Sequence, residues 1–103
     1  MGKHVVGERV GVMLCAEDNA VYVLGYGTYQ GDEIPPEEIG GFNMGFANPK
    51  LVLDNGDVVW GCESWWGREN EMKEMIDGAR KAGYEIINVN ISDARSRAAK
   101  LKV

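Results

Sequence analysis

One stretch of the sequence, residues 48–70, restricts more than any other what this chain can fold into. It reads NPKLVLDNGDVVWGCESWWGREN and contains all three tryptophans and one of the two cysteines. Asn55-Gly56 is the dipeptide that a type I′ turn prefers, because both central residues of that turn need a positive φ. The apolar runs LVL before the turn and VVW after it predict the two strands of a β-hairpin.

The first part of the chain predicts another hairpin. Residues 9–16 and 20–25 are rich in strand-forming side chains, and the polar cluster Glu17-Asp18-Asn19 between them is typical of a turn. The second strand is expected to continue or bend through residues 26–31. Residues 32–46 follow as a long loop, because Pro35-Pro36 bars a strand and the later glycines oppose a long helix. The apolar residues of that loop are expected to fold back over the core: Phe42, Met44 and Phe46.

The last part of the chain predicts two helices and a strand. In residues 68–82, apolar side chains recur at the spacing of one helical face, and Gly83 is a natural residue just after a helix end. Residues 84–91 predict a strand, and Ser92 looks like the N-cap of a short helix that ends near Leu101. The element order is therefore β-β-loop-β-β-α-β-α over residues 1–103, one α+β domain with a mostly antiparallel sheet and helices on one side.

Composition excludes several classes of function. A net charge of −5 and a pI near 4.8 oppose binding along a nucleic-acid polymer, which needs a field of lysine and arginine. A single histidine, His4 in an apparent N-terminal tail, gives no metal-ligand spacing, and no cofactor motif is present. No long apolar run or signal peptide is found, which favours a cytoplasmic protein without a membrane partner. Cys15 and Cys62 are interpreted as buried, reduced thiols.

Aromatic side chains mark the candidate ligand site. Faces of indole and phenol rings stack on planar ligands such as a base or nicotinamide, and the glycine-rich loop could cover them. The alternative is structural: one tryptophan in the core and two holding the strand-to-helix corner. The expected stacking residues are the following: Tyr26, Tyr29, Trp60, Trp65 and Trp66.

Polar residues near these rings would complete such a site. Glu63 and Asp32 are candidates for the polar edges of a ligand, and Arg68 at the start of the predicted helix is a candidate for an anionic group. A desolvated Glu63 would also suit general acid–base chemistry. Cys62 lacks a neighbouring base in the sequence, so a structural thiol is favoured over a nucleophile.

Two resemblances follow from these motifs. Residues 23–31, VLGYGTYQG, resemble the strand-to-loop signature of gamma-glutamylcyclotransferase-like proteins, in which the loop cradles the amino-acid end of the substrate and a later glutamate is the acid–base. The joint pattern GYGTYQGDEIPP and NPKLVLDNGDVVWGCESWWG, over residues 25–67, resembles small uncharacterised bacteriophage and prophage proteins. The second resemblance implies no known activity. It implies a context in which small acidic proteins bind a host defence protein or a defence signal nucleotide.

The leading hypothesis is a non-enzymatic, phage-type protein that sequesters a small nucleotide-like ligand and so weakens a host immune signal in the host cytoplasm. The first alternative is a protein–protein inhibitor whose acidic surface docks on a host defence protein. The second is a small enzyme of the cyclotransferase kind with Glu63 as its acid. Unpaired strand edges are hard to hide in one small sheet, so a homo-oligomer is expected.

Overall fold

A computed structural model of the chain describes residues 4–36 and 47–101, with side chains as far as Ser96. Its helices and strands are, in chain order, β1 (Arg9–Glu17), β2 (Ala20–Glu33), β3 (Asn48–Leu53), β4 (Val58–Trp60), a 3-10 turn (Gly61–Glu63), β5 (Trp65–Arg68), α1 (Glu69–Lys81), β6 (Glu85–Asn88) and α2 (Ile91–Leu101).

The strands form one sheet in the spatial order β4-β3-β2-β1-β5, and all of these neighbours are antiparallel. β6 pairs in parallel with the first residues of β2, Ala20 to Val23. Both predicted hairpins are present, and the α+β prediction is confirmed. The predicted strand that ran from the second hairpin to the helix is broken by the 3-10 turn, and its last part, β5, crosses to the other end of the sheet and pairs with β1.

The type I′ turn occurs in the first hairpin, and the turn of the second hairpin differs from the type that the sequence indicated. Asp18 and Asn19 have φ of 51° and 63° between Glu17 and Ala20, so this two-residue loop is the type I′ turn. At Asn55-Gly56, only Gly56 has a positive φ, 94°. Its N–H donates to the carbonyl of Leu53, and the Leu53 N–H donates to Asp57. The predicted type I′ turn is therefore wrong, because a three-residue loop with glycine in the left-handed position closes this hairpin.

The two helices contact opposite faces of the sheet. Val10 and Val12 of β1 pack with Ile91 at the start of α2, while Met13 packs with Met72 and Ile76 of α1. Neighbouring residues of a strand point to opposite faces, so the α2 face and the α1 face are different sides of β1. The expectation that both helices cover one side does not hold, since the sheet is apolar on both faces.

The start of α2 also differs from the prediction. The helix begins at Ile91, and the side-chain oxygen of Asn90 accepts the N–H of Asp93 at 2.8 Å. Asn90 is thus the capping residue, and Ser92 lies inside the first turn. Asparagine caps helices as well as serine does, so the sequence alone did not distinguish Asn90 from Ser92 as the capping residue.

The irregular segment after β2 begins later than expected. β2 extends to Glu33, so Asp32 and Glu33 belong to the sheet, where they pair with Pro49 and Asn48 of β3. Irregular structure begins at Ile34. The predicted contacts of Phe42, Met44 and Phe46 with the core lie outside the described residues.

Glycine allows the close packing of β2 against β3. A Cβ on Gly27 would lie 2.1 Å from the carbonyl oxygen of Val52 and 2.6 Å from the Cα of Leu53. Both are backbone atoms that cannot move without breaking the strand pairing. A side chain at residue 27 is therefore incompatible with this part of the sheet.

We expect Gly27→Ala to lower the free energy of unfolding by about 2 kcal/mol or more, because the strand pairing must open to admit the methyl group. The matched control is Gly78→Ala in α1, where a Cβ would meet nothing within 4 Å. This control should raise the stability by about 0.5–1 kcal/mol through helix propensity. Urea unfolding followed by circular dichroism measures both, and equal effects of the two substitutions would contradict the account.

Candidate functional site

The aromatic residues of the sequence divide between the two faces of the sheet. Tyr29 and Trp66 pack against the cluster that contains Val10 and Val12, on the α2 face. Tyr26 packs on the α1 face, and Trp65 pairs with Met13, whose side chain lies on that same face. The strand alternation separates Trp65 from Trp66, so the predicted stacking residues do not form one cluster.

Three rings meet on the α2 face and form the aromatic triad: His4, Tyr29 and Trp66. The rings of Tyr29 and Trp66 are nearly parallel, with centroids 5.5 Å apart and an interplanar angle of 16°. The His4 ring lies 4.4 Å from Trp66 and 6.0 Å from Tyr29. Tyr29 and Trp66 are both partly exposed, so the triad presents aromatic surface to solvent.

Backbone contacts hold the triad in place. The N–H of Gly7 donates to the carbonyl of Tyr29, and the Tyr29 N–H donates to Glu8, so residues 4–8 run beside β2. Trp66 is set by the pairing of β5 with β1, in which it lies opposite Val12. A Cβ on Gly61 would come within 3.1 Å of the Trp66 Nε1 and 2.8 Å of Pro49, so glycine leaves the room that the indole edge occupies.

Polar groups surround the triad. The hydroxyl of Tyr29 donates to the Asp32 carboxylate at 2.6 Å, and this hydrogen bond raises the pKa of Tyr29. His4 Nδ1 lies 2.7 Å from Glu8, and the Arg68 Nε donates to the same carboxylate at 3.2 Å. The hydrogen bond with His4, and after it the positive charge of Arg68, lowers the pKa of Glu8. Glu8 is therefore held ionised beside the rings.

Glu63 has a structural position. The Arg95 guanidinium donates to it from Nε at 3.1 Å and from Nη2 at 2.6 Å, and the Trp60 N–H donates to it at 3.0 Å. Its side chain is only 10% exposed. Glu63 thus joins α2 to the start of the 3-10 turn, and these three donors use most of the acceptor capacity of its carboxylate. Trp60 is 4% exposed and belongs to the interior.

Tyr26 lines a separate, open groove of about 410 Å³ on the α1 face, together with residues of α1 such as Lys73 and Arg80. Lys73 Nζ lies 5.4 Å from the centroid of the Tyr26 ring, a cation–π distance. Arg80 already pairs with Asp77, and Lys73 with Glu69. The groove therefore offers a ligand little unbalanced charge.

The start of α1 does not provide a strong anion site. Arg68 pairs with Glu8 and Glu71, and the first turn of the helix contains Glu69 and Glu71. These carboxylates satisfy the positive end of the helix dipole from within the chain. Arg68 nevertheless stays 44% exposed, on the same face as Trp66.

The cysteines are not arranged for nucleophilic chemistry. Neither Cys15 nor Cys62 forms a disulfide, and both are half-buried, less than the sequence interpretation expected. Burial, and after it the negative charge of Glu63, raises the pKa of Cys62, which disfavours the thiolate. Residues 4–36 and 47–101 contain no group of three potential metal ligands.

Of the eight residues that the sequence indicated, the structure brings four to the triad and its rim: Tyr29, Asp32, Trp66 and Arg68. The other four lie elsewhere: Tyr26, Trp60, Glu63 and Trp65. His4 was assigned to a free tail, yet it stacks on Trp66. His4 and Glu8 are four residues apart but lie outside any helix, so the sequence around them gave no signal that His4 would contact Trp66.

Comparison with known proteins adds no relative. No family model, curated protein or solved structure matches the chain. Within the described residues, neither helix is long and apolar enough to cross a membrane.

Acid should destabilise the protein through Glu8 and Asp54. The hydrogen bonds to Arg9 lower the pKa of Asp54, as the contacts with His4 and Arg68 lower that of Glu8. A lowered pKa means that the native state binds fewer protons than the unfolded chain. The stability that each carboxylate contributes is therefore present above its ordinary pKa, 3.8 for Asp54 and 4.5 for Glu8, and is lost as the pH falls below that value.

We therefore expect the melting temperature to fall as the pH is lowered from about 6 to about 3, and to fall less steeply in Glu8→Gln and Asp54→Asn. Differential scanning calorimetry across this range checks it. The same substitution at an acid outside these contacts, Glu74→Gln, serves as the control, and an unchanged slope in both test variants would refute the assignment.

We expect Glu63→Gln to destabilise the fold by about 1–3 kcal/mol, because it leaves the partly buried Arg95 without its counter-charge. The matched control is Glu71→Gln, which breaks the exposed pair with Arg68 and should cost about 0.5 kcal/mol or less. Urea unfolding gives both values. A silent Glu63→Gln would show that this carboxylate is free for another role.

Proposed function

We propose that this chain is a non-enzymatic binding protein whose ligand is a small planar, nucleotide-like molecule that stacks on the aromatic triad. The observation that carries the proposal is the triad itself, three mutually contacting rings that remain partly exposed on one face of the sheet. Aromatic surface of this kind stabilises flat heterocycles by stacking.

The ring geometry restricts how the ligand is held. Tyr29 and Trp66 already stack on each other at 5.5 Å, so a base does not fit between them. The ligand therefore stacks on the outer surface of the triad, with His4 and the backbone of residues 5–7 at its side. Binding of this type needs no large rearrangement of the sheet.

The polar rim determines the chemistry of the ligand. Asp32 keeps acceptor capacity beyond the bond from Tyr29, so it suits the N–H groups of a nucleobase edge. Arg68 is a cation of this face and suits an anionic group, although it already pairs with two carboxylates. The balance of these charges favours a base or nucleoside part with at most a few negative charges.

The states of Glu63 and Cys62 support binding rather than catalysis. Glu63, the carboxylate that a cyclotransferase-like reaction would need, is tied to Arg95 and to the backbone of Trp60. Cys62 has a raised pKa and so stays in its less reactive thiol form. Stacking on the triad requires no group with a shifted proton affinity.

The resemblance to small phage proteins suggests what such binding would achieve. A protein that sequesters a nucleotide signal in the host cytoplasm lowers the free signal concentration and weakens the response that depends on it. This biological context is part of the proposal and rests on the resemblance of residues 25–67 to small phage proteins.

A thermal-shift and tryptophan-fluorescence screen tests the proposal, with a panel of nucleosides, linear and cyclic nucleotides and ADP-ribose derivatives. Binding to the native state raises the melting temperature, and stacking quenches the fluorescence of Trp66. For a ligand found in this way, we expect Trp66→Leu to weaken affinity about tenfold or more. Trp65→Leu is the matched control, since its indole lies on the other face, and should retain the affinity.

Other outcomes separate the alternatives. A panel without any shift would refute small-ligand binding at the triad and would favour the host-protein inhibitor, whose association with a basic protein should weaken with salt. Loss of binding in Trp65→Leu but not in Trp66→Leu would move the site to the α1 face. Turnover of a bound compound that Glu63→Gln abolishes would establish the enzyme.

A further inference from the structure

The two ends of the sheet differ in how their edges are protected. At one end, β4 has three residues, the 3-10 turn bends the chain away after it, and Arg95 Nη2 donates to the carbonyl of Val58 at 3.0 Å. A short strand, a bend and a covering side chain are features that prevent edge-to-edge pairing. At the other end, β5 is nearly as short, with four residues, but among the described residues it lacks a covering contact like that of Arg95.

The free edge of β5 carries the most exposed tryptophan. β5 is the sequence Trp65-Trp66-Gly67-Arg68, and within the described residues its outer side has no backbone partner. Trp65 is 68% exposed. The strand contains no lysine or proline, and its single charge, Arg68, is already paired with Glu8 and Glu71. An exposed apolar edge of this kind is a template for another strand.

We propose that β5 pairs antiparallel with β5 of a second copy of this chain, which joins the two sheets into one across a twofold axis. A strand edge is self-complementary in this arrangement, because its N–H and C=O groups meet the C=O and N–H groups of an identical, reversed strand. The proposal rests on the sheet edge and needs no bound ligand, but it places Trp66 of the triad at the dimer seam.

The side chains fit a register in which Trp66 lies opposite Trp66 of the second copy. Residues directly opposite in an antiparallel pair share a face, so Trp65 then lies across from Gly67 of the second copy. Gly67 has no side chain, and a Cβ there would already lie in van der Waals contact with Met72 Sδ, at 3.5 Å. The indole of Trp65 covers this glycine and reaches the thioether beneath, a favourable sulfur–aromatic contact.

Helix α1 extends the interface on the same face. Lys73 and Arg80 lie on the flank of α1 beside Tyr26 of β2. Met75, two residues or ~200° around the helix from Lys73, lies on the opposite flank, toward β5, and is 51% exposed. α1 packs over β1 and β5, so two copies of it would be ~10–14 Å apart, close to the spacing of packed helices.

The size of this contact suits a small, reversible dimer. The two strands contribute eight residues, which include the 68% exposed indoles of Trp65, and the two 51% exposed Met75 side chains add to them, so the buried area stays below the ~1,200 Å² of standard specific interfaces. The second copy is thus preferred over a foreign strand, which would not supply the glycine that lies across from Trp65.

Sedimentation velocity and light scattering test the proposal on the full chain. The wild-type protein should have twice the 11.3 kDa mass of one chain at micromolar concentration. Trp65→Lys places a charge on the edge and removes the indole, and should raise the dimer dissociation constant about a hundredfold or more. Ile34→Lys, at another exposed apolar residue, is the matched control and should leave the dimer intact.

A cross-link tests the arrangement of the helices. In a Cys15→Ser, Cys62→Ser background, Met75→Cys should form a disulfide-linked dimer on mild oxidation, and Lys73→Cys on the far flank should not. A monomeric wild-type protein would overturn the proposal, as would a Trp65→Lys variant that stays dimeric. Circular dichroism and the melting curve show that Trp65→Lys is folded, because this side chain is exposed in the single chain.

Discussion

The structure depends on one long strand. β2 spans 14 residues and hydrogen-bonds to β1 along one side and to both β6 and β3 along the other. It can serve three partners because β6 pairs with residues 20–23 and β3 with residues 27–33. Gly25, whose φ is 136°, lies between these segments, near the shift in register with β1. This irregularity changes which residues face each side, so Tyr26 lies on the α1 face and Tyr29 on the α2 face. The distribution of aromatic side chains therefore follows from β2.

Burial on both faces gives the domain its stability. Val10, Leu51 and Val59 have no exposed surface, and their cluster is covered in part by the first turn of α2. The cluster on the other face is completed by Met72 and Ile76 of α1. The sheet therefore lies between the helices, with apolar side chains buried on both of its faces.

Salt bridges connect parts of the chain that strand pairing does not join. Arg9 joins Asp54 of the second hairpin to Glu69 at the start of α1, and Arg95 joins α2 to Glu63 and to the edge of β4. Both arginines are thus compensated within the chain. Accessible aromatic surface lies at the triad on one face and at Trp65 on the other. The molecule thus presents two apolar surfaces of different character, one that suits a planar ligand and one that suits a second copy.

The sequence by itself determined the elements. The apolar runs around Asn55-Gly56 and around Asp18-Asn19 specified two hairpins, and the spacing of Met72, Ile76 and Ala79 specified α1, because these signals are local and depend on alternation or helical periodicity. Local signals also indicated four residues of the candidate site, because they are aromatic or charged side chains near predicted strand ends: Tyr29, Asp32, Trp66 and Arg68.

Only the tertiary structure decided how these elements and residues combine. The 3-10 turn at residues 61–63 takes β5 across the sheet to β1, and this crossing places Trp66 beside Tyr29 and leaves Trp65 on the other face. The positions of His4 on Trp66 and of Arg95 on Glu63 join residues that are far apart in the chain. Periodicity carries no information about such contacts, because they depend on strand order and on where the chain leaves the sheet.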